Sequence, residues 1–368
     1  MKANAQTGRK GTVSTISTQN LRSTTVGLDL GDRWSRYCVL NGSGDIDEEN
    51  RVQTTAPGFE GRFAAMTAAR IVIEVGGHSP WVSRQLASYG HEVVVANARK
   101  VRLIYETDRK NDQLDARMLA RLGRVDANLL SPVQHRSAEA QTDLAVIRVR
   151  NTLVAARTQL INAARGLVKA TGSRLPKSTT GAFANKAAGA IPHALRVALA
   201  PLVKSLRELN EQILRCDRQI ETLAAKKYPE TRLLRQVKGV GTLTALTYVL
   251  TIEDPYRFAK SRVVGCYLGL RPRQHDSGDS APQLGISKSG NGYLRRLLVQ
   301  CSHFILGPFG ADSSLRRWGL QLASHGGKKG KKRAVVAVAR KLAVLLHHLW
   351  STAEVYEPLR GQVAAQAA

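Results

Sequence analysis

The order of apolar and polar positions predicts strands first and helices later along the chain. After a polar stretch to about Ser23, three short runs alternate in hydrophobicity within "TTVGLDLGDRWSRYCVLNGSGDIDEENRVQTT", where "GD" and "NGSGD" supply turns. Alternation with a period of two residues between turn sequences is typical of β-strands. We therefore predict an antiparallel meander of three strands.

Helices and strands alternate in the segment that follows. The pattern predicts a helix in "APGFEGRFAAMTAA", a strand in "RIVIEV", a helix from about Pro80 to Tyr89, a strand in "EVVVANA" and a helix in "NDQLDARMLARLG". Three strands followed by alternating helix and strand is the element order of a ribonuclease-H-like (RuvC-like) fold. Other α/β domains share that order, so it is weak evidence by itself.

Two long amphipathic helices are predicted from about Asp143 onward. In the first, apolar residues recur every seven positions at Val146, Leu153, Leu160 and Leu167. In the second, spacings of three and four alternate through Leu199, Leu202, Leu206, Leu209, Ile213, Cys216, Ile220 and Leu223. The stretch between them, "TGSRLPKSTTGAFANKAAGAIPH", is too rich in Gly, Ser and Pro to continue a helix and predicts a loop or tip. The two stripes fit a helical hairpin or coiled coil, as an intramolecular core or as a dimer seam.

The rest of the chain predicts further helices. "LLRQVKGVGTLTALTYVLTI" resembles a helix-hairpin-helix element. Its Gly239 and Gly241 would let backbone N–H groups approach a phosphate, and Lys238 would add charge, although plain helical corners use the same turn. A flexible basic strip then precedes an amphipathic helix in "HGGKKGKKRAVVAVARKLAVLLHHLW". The lysines of this strip are Lys328, Lys329, Lys331 and Lys332.

These patterns divide the chain into an α/β part and several α-helical parts. We expect a flexible basic tail (1–23), a RuvC-like domain (24–135), a coiled-coil hairpin (136–230), a helical domain with the glycine turn (231–325) and a basic linker with a C-terminal helix (326–368). A length of 368 residues suits two or three compact units.

The charge of the chain indicates a polyanionic partner. There are 55 Lys and Arg residues against 28 Asp and Glu residues, a formal net charge of +27. Such self-repulsion favours binding to nucleic acid, and an anionic membrane surface is the second choice. We expect no transmembrane segment, because no apolar run approaches about twenty residues, and no signal peptide. A soluble, cytoplasmic, nucleoid-associated bacterial protein is the expectation.

The four cysteines indicate neither a disulfide framework nor a zinc site. They are scattered and form no Cys-x-x-Cys pair, so we interpret them as reduced packing residues. They are Cys38, Cys216, Cys266 and Cys301.

Four acidic residues occupy places that call for an explanation. Asp29 lies in the middle of the first predicted strand, and Glu74 lies at the end of the next apolar strand. A carboxylate in an apolar strand is costly to bury unless it is paired or binds a metal. Asp112 and Asp115 lie one helical turn apart. Because the first and fourth strands of a ribonuclease-H-like sheet are neighbours, all four could converge on Mg²⁺, which prefers oxygen ligands, with Mn²⁺ as a substitute.

Each of these acids also has a simpler interpretation. Asp112 could be the N-cap of its helix, and Asp115 could favour the positive end of the helix. Asp29 could pair with an arginine, and Glu74 could face solvent at a strand end.

Several motifs together resemble one family. "GLDLGD", "IVIEVGGHSPW" and "KNDQLDARMLARL" are similar to the acidic motifs of the DEDD transposases of the insertion-sequence 110 family, relatives of the Piv-type DNA invertases. "VKGVGTLTALTYV", "YLGLRPRQHDSG", "GISKSGNGYLRRLL" and "AVVAVARKLAVLL" resemble that family's second domain. Asn111 stands where a threonine is frequent, and the basic tail and the loop from about Thr171 to His193 have no match in the pattern.

The resemblance gives "GISKSGNGYLRRLL" a catalytic meaning. Its Ser287 stands in the position of the family's nucleophilic serine, with Lys288, Arg295 and Arg296 as phosphate contacts. From the residues alone, Ser287 and Ser289 would be hydrogen-bonding turn residues.

The family further implies DNA strand exchange through a serine-linked DNA intermediate, with the serine activated by the metal-bound acids. It also implies guidance by a structured noncoding (bridge-type) RNA and homodimers that pair into tetramers. Two alternatives remain open. One is a Holliday-junction-type nuclease that cuts by hydrolysis, and the other is a non-catalytic nucleic-acid-binding scaffold.

Overall fold

The computed structural model describes residues 24–101, 111–278, 280, 282, 284–325 and 327–359. The chain forms two compact units, Met1–Arg136 and Ser137–Ala368. The first contains a mixed sheet with helices, and the described part of the second is helical apart from isolated β-bridges. The predicted combination of an α/β part with an α-helical part is therefore confirmed. The predicted tail at 1–23 lies outside the described residues.

One five-stranded sheet organises the first unit. Its strands are β1 (Thr25–Asp29), β2 (Trp34–Leu40), β3 (Ile46–Gln53), β4 (Arg70–Glu74) and β5 (Glu92–Ala96). Their spatial order is β3-β2-β1-β4-β5, with β1 to β3 antiparallel and β4 and β5 parallel to β1 and to each other. The predicted meander and the pairing of the first strand with the fourth are thus both present.

Helices cover both faces of this sheet. They are α1 (Ala56–Phe63), α2 (Ser79–Ser88), α3 (Ala98–Val101) and α4 (Asp112–Val125). Leu28 and Ile73 lie in one core cluster with residues of α1 and α2, whereas Val72 packs with Leu119 of α4 on the opposite face. Burial of alternate residues of β4 on opposite faces explains why its sequence is apolar throughout.

Gly27 allows α4 to lie against the centre of β1. A Cβ atom at this position would lie 2.0 Å from the carbonyl oxygen of Ala116. At Gly123, farther along α4, a Cβ atom would lie 2.2 Å from the side chain of Val72. Since Gly123 also lies close to Thr25 at the start of β1, α4 runs antiparallel to β1. The first turn of α4 therefore points toward the end of β1 that carries Asp29.

The second unit begins with the predicted helical hairpin. Its elements are α5 (Ala138–Ala170), α6 (Phe183–Ala188), a 3-10 turn (His193–Leu195) and α7 (Arg196–Lys226). Polar pairs run along it in antiparallel register: Lys227 with Asp143 at 2.6 Å, Arg150 with Asp217, and Arg157 with Asn210 at 2.9 Å.

The predicted stripe of α7 is confirmed. In α5 the predicted Val146 and Leu160 are only partly buried against the core, and the fully buried stripe lies one residue farther along. Leu199, Leu206, Ile213 and Ile220 are buried at seven-residue spacing. In α5 the buried stripe contains Ile147, Ile161 and Val168, whereas Leu167 of the predicted stripe is 53% exposed. Both stripes are apolar, and contact with α7 decides which one forms the core.

The segment between the two long helices is more ordered than the predicted loop. Phe183, Ala184 and Ala187 of α6 are buried together with Ile161 and Val168 of α5. The end of the hairpin therefore has a small hydrophobic core of its own.

The remaining helices pack around a central C-terminal helix. They are α8 (Thr231–Arg235), α9 (Thr242–Ile252), α10 (Arg262–Tyr267), α11 (Gly292–Leu306), α12 (Ser314–His325) and α13 (Gly330–Thr352). By length and composition α13 could cross a membrane, with a mean hydropathy of 1.3, contrary to the expectation that no run was long enough. Half of this apolar stretch is buried in the unit, with Val338, Leu342 and Leu346 fully covered, so α13 is the core helix here.

Candidate active site

The sheet register brings Asp29 and Glu74 to neighbouring positions. Asp29 ends β1 and Glu74 ends β4, each one residue beyond the registered pair Leu28 and Ile73. Asp29 thus lies at the end of its strand, whereas the sequence predicted the middle. The preceding residues, Leu28 and Ile73, face α1 and α2. Because successive side chains of a strand face opposite sides, Asp29 and Glu74 lie on the side of the sheet that α4 covers, and both are half-buried. Adjacent strands lie about 4.8 Å apart, which makes these acids near neighbours.

The first turn of α4 carries the other two acids toward the same end of the sheet. Asp112 precedes the buried Ala116 by four residues, and Asp115 precedes the buried Leu119 by four. Residues four apart lie on one face of a helix, so both acids extend the face that packs on the sheet. Asp115 is half-buried and Asp112 is exposed.

The helix cap is Asn111, and the alternative role for Asp112 is therefore wrong. The side chain of Asn111 accepts a hydrogen bond from the backbone N–H of Gln113 at 3.0 Å, and Asp112 is the first residue of the helix. Capping explains Asn111 in the place where the family often has threonine, since both residue types cap helices. It leaves the two aspartates without a capping function.

These four residues supply the oxygen ligands that Mg²⁺ prefers. Within the described ranges, however, no three acidic, histidine or cysteine side chains converge as a metal-binding group. Asp29, Glu74 and Asp115 each already have an interaction partner. The backbone therefore brings the acids to one end of one face, and binding of a cation would require their side chains to turn toward it.

Glu49 of β3 forms hydrogen bonds to the first turns of α4. Its carboxylate accepts hydrogen bonds from Gln113 Nε2 at 2.8 Å and from the guanidinium of Arg117. The bond to Arg117 is the main cause that lowers the pKa of Glu49 from 4.5 to about 2. This ion pair helps to fix α4, and with it Asp112 and Asp115, over the sheet.

The Glu49 contact predicts acid sensitivity of the first unit. Because the pKa is lower in the folded than in the unfolded state, the stabilisation is complete above about pH 4.5 and is lost as the pH falls toward 2. We expect Glu49→Gln to lower the free energy of unfolding at pH 7 by roughly 1 to 3 kcal/mol and to flatten its decline between pH 5 and 3. Thermal melting monitored by circular dichroism would measure both. Glu92→Gln, at the half-exposed pair with Arg70, is the control and should keep most of the wild-type pH dependence.

Ser287 lies exposed on a turn that is held at several points. Its N–H donates to the carbonyl of Arg271 at 2.9 Å, and the N–H of Lys288 donates to that of Gly269 at 3.1 Å. Its hydroxyl lies 3.0 Å from the hydroxyl of Ser289. Lys288 adopts a left-handed conformation with φ of 57°, which is strained for a residue with a side chain.

Close backbone packing below this turn requires two glycines. A Cβ atom at Gly269 would lie 2.3 Å from the carbonyl oxygen of Ser289, and one at Gly290 would lie 2.1 Å from that of Tyr267. Both glycines have positive φ angles. The turn is therefore fixed by backbone contacts while the Ser287 side chain stays accessible.

Arg295 supports the turn from α11. Its guanidinium donates to the carbonyl oxygens of Leu268 at 2.9 Å and Ser289 at 2.7 Å. These contacts occupy Nη1, so this group positions the turn in addition to any phosphate contact expected from the sequence. Arg296 is exposed, with its guanidinium 5.4 Å from the ring centre of Tyr293, and Lys288 is also exposed.

The glycine turn forms as the sequence suggests, but an acid lies beside it. Gly239 has φ of 99°, Gly241 is the N-cap of α9, and Lys238 is exposed. The hydroxyl of Thr242, the first residue of α9, donates to Glu221 at 3.0 Å. A phosphate at this helix end would therefore approach a carboxylate.

The basic strip is helical, and its predicted flexibility is wrong for residues 327–332. Gly327–Lys329 form a 3-10 turn, and Lys331 and Lys332 are exposed in the first turn of α13. A Cβ atom at Gly330 would lie 2.6 Å from the carbonyl oxygen of Ala323, so this glycine lets the start of α13 pack against α12.

The roles of two supporting residues, Glu49 and Arg295, are not visible in the sequence. Glu49 belongs to a strand of polar residues, "IDEENRVQ", in which nothing distinguishes it from its neighbours. Arg295 is recognisable as a cation near Ser287, but its bonds to the carbonyls of Leu268 and Ser289 depend on how these two residues fold next to α11.

Two family models match this chain. A transposase model of the DEDD IS110 type matches residues 26–172, which include the four acids, and a model described as the transposase IS116/IS110/IS902 family matches residues 231–309, which include Ser287.

Similar proteins carry related names. The transposase for insertion sequence element IS1111A of Coxiella burnetii is 28% identical over 339 residues, which are 90% of this chain and 90% of that protein. A probable family 20 transposase of Pseudomonas aeruginosa is 29% identical over 80% of this chain and 88% of its own length. The pilin gene-inverting protein of Moraxella bovis is 29% identical over 40% of this chain and 48% of its own length. This chain therefore belongs to the IS110 family of DEDD transposases and is an enzyme of that type.

Proposed function

We propose that the chain is the recombinase of an insertion sequence and that it cuts and rejoins DNA through a covalent bond to Ser287. The observation that carries this proposal is the exposed Ser287 hydroxyl on a turn that backbone contacts and Arg295 hold in place. Pre-organisation of this kind is expected for a nucleophile, because a fixed geometry lowers the entropic cost of attack.

The covalent step would conserve the number of phosphate ester bonds. The Ser287 hydroxyl would lose its proton to a base and attack a backbone phosphorus. The bond from that phosphorus to the deoxyribose oxygen would break, and this oxygen would take up a proton and leave as a strand-end hydroxyl. A hydroxyl of another DNA strand would then attack the serine ester and release Ser287. Since one ester is exchanged for another at each step, no energy-supplying cofactor is needed.

Enzymes of the DEDD type use divalent metal ions, and we assign Mg²⁺ to Asp29, Glu74, Asp112 and Asp115. When bound, such an ion stabilises negative charge on phosphate oxygens and lowers the pKa of a coordinated hydroxyl. This assignment is supported by the register of β1 and β4, which makes Asp29 and Glu74 neighbours, and by the cap at Asn111, which begins α4 at Asp112. Glu49 and Arg117 keep α4 in place.

Lys288 and Arg296 are proposed to contact the phosphate next to Ser287, and both are exposed. Lys238 with the turn at Gly239 and Gly241 would bind a phosphate elsewhere on the strand, as a helix-hairpin-helix element does.

A structured noncoding RNA from the element is proposed to select the DNA, as the family resemblance implies. The net charge of +27 supports a large polyanion. Assembly into dimers and tetramers is supported by apolar residues exposed on the outer faces of the hairpin. These are Val149, Leu167, Val197 and Leu214.

The test uses a supercoiled plasmid that carries the DNA flanking the gene, with the RNA transcribed from that region. Protein-linked DNA strands are expected with Mg²⁺ and not with EDTA, as a shifted band on a denaturing gel that protease treatment removes. Cut strands without attached protein would identify the hydrolytic nuclease. Binding without any cutting would identify the scaffold.

The start of α13 should contribute phosphate contacts. Lys331 and Lys332 lie at the positive end of the helix dipole, where a cation is unfavourable unless an anion binds. We expect Lys331→Gln with Lys332→Gln to weaken DNA binding for all sequences alike and to reduce the slope of log K against log salt by about two. Fluorescence anisotropy at several salt concentrations would measure this slope. Lys177→Gln with Lys186→Gln, at the hairpin end, removes equal charge, and an equal change there would contradict a role specific to α13.

A further inference from the structure

A basic and aromatic row lies beside Asp29 on the α4 face of the sheet. Arg36 of β2 is the register partner of Asp29, and Arg51 of β3 is the register partner of Arg36. Trp34 lies two residues before Arg36 and therefore on the same face. Across an antiparallel pair the diagonal neighbours are roughly 7 to 8 Å apart, so Trp34 is within reach of the ligand position at Asp29.

The two arginines of this row are opposite each other on β2 and β3, and Arg36 has the acid Asp29 opposite it on β1. Like charges directly opposite across two strands destabilise the sheet. Two residues along β3, Glu49 forms an ion pair with Arg117. Among the ion pairs of the described residues none contains Arg36 or Arg51, and Arg51 has no acid opposite it. A bound anion between Arg36 and Arg51 would remove this repulsion.

Trp34 is an exposed aromatic residue with a fixed position. Its side chain is 43% exposed, and the guanidinium of Arg51 lies 4.4 Å from its ring centre. Thr54 holds the residues on either side of Trp34. Its N–H donates to the carbonyl oxygen of Arg33 at 3.0 Å, and its hydroxyl lies 2.8 Å from the hydroxyl of Ser35. The ring therefore presents a stable surface at the end of the sheet.

We propose that Trp34, Arg36 and Arg51 bind one unpaired nucleotide of the DNA strand next to the phosphate that is cut. The base stacks on Trp34, and its phosphate lies between the two arginines. Stacking on an aromatic ring tolerates every base, which suits a site whose sequence selection is made elsewhere. This inference rests on the proposed function, because the nearby acids are taken to hold the metal at the phosphate.

The test is quenching of tryptophan fluorescence in the full-length protein by a thymidine 12-mer. We expect quenching that is largely lost in Trp34→Phe. Trp318→Phe removes another of the four tryptophans, from α12, and should keep the quenching. Arg51→Gln should weaken the binding of the thymidine 12-mer, measured by this quenching, by about fivefold or more. The substitution removes both a phosphate contact and the cation that lies over the Trp34 ring.

The competing outcomes are distinct. Equal quenching in Trp34→Phe and wild type, or none in either, would overturn the proposal. Equal quenching by a 12-base-pair duplex would overturn base stacking, and stronger quenching by a uridine 12-mer than by the thymidine 12-mer would assign the row to RNA. None of these measurements requires cutting, so the plasmid assay of wild-type protein tests the proposed function separately.

Discussion

Ser287→Ala should bind DNA as the wild type does and form no covalent DNA adduct. The substitution removes one hydroxyl from an exposed position, and the contacts that hold the turn use the backbone of residue 287 and the side chain of Arg295. Folding should therefore be unaffected. Recombination should fall by on the order of a thousandfold or more, as for loss of a nucleophile in other covalent enzymes. Denaturing gels and anisotropy would measure adduct and binding in the same preparation.

Ser289→Ala is the matched control, because it removes a hydroxyl 3.0 Å away in the same turn. We expect a far milder loss, since Ser289 can orient the Ser287 hydroxyl but is not itself attached to DNA. Ser287→Cys should keep residual activity at best, because the thiol is larger and softer. Persistence of the adduct in Ser287→Ala would rule out this residue as the nucleophile and would favour hydrolytic cutting by the acids.

Asp112→Asn and Asp115→Asn should each lower metal-dependent cutting by at least about a hundredfold while the protein folds and binds DNA normally. Neither change removes volume, and neither disturbs the cap, which Asn111 supplies. The remaining activity should require more Mg²⁺, because one ligand is missing. A titration of cutting against Mg²⁺ concentration measures both effects.

Asp126→Asn offers a control at the other end of the same helix. Asp126 caps the following 3-10 turn through the N–H of Asn128 at 2.8 Å, and asparagine caps as well as aspartate. This variant should cut DNA like the wild type. If Asp115→Asn behaved like Asp126→Asn, Asp115 would not be a metal ligand.

The strands and the neighbouring acids Asp29 and Glu74 could be predicted from the sequence, because the alternation of apolar and polar residues within each strand shows which side chains are buried. Alternation predicts which residues of β1 and β4 share a face, and the ribonuclease-H-like order of elements predicts that these strands pair, as they do. The capping residue was missed because Asn111 and Asp112 are adjacent and both are good caps. Only the backbone angles of residue 111 distinguish them.

Predictions failed where a choice depends on a distant partner. In α5 two adjacent apolar stripes compete, and α7 selects the one with Ile147 and Ile161. The strip before α13 contains glycines typical of flexible segments. Gly330, however, is needed for close packing, because a side chain there would collide with the backbone of Ala323. The side-chain directions of Asp29 and Glu74 depend likewise on neighbours far along the chain.

The length of the hairpin has a mechanical consequence. A helix of 33 residues such as α5 is about 50 Å long, at 1.5 Å per residue. The polar pairs along the hairpin, such as Lys227 with Asp143 and Arg157 with Asn210, resist sliding of α5 along α7. The hydrophobic core around Phe183 holds the far end together as a rigid unit. The hairpin is therefore a lever arm, in which a tilt of about 5° at its base displaces its tip by about 4 Å.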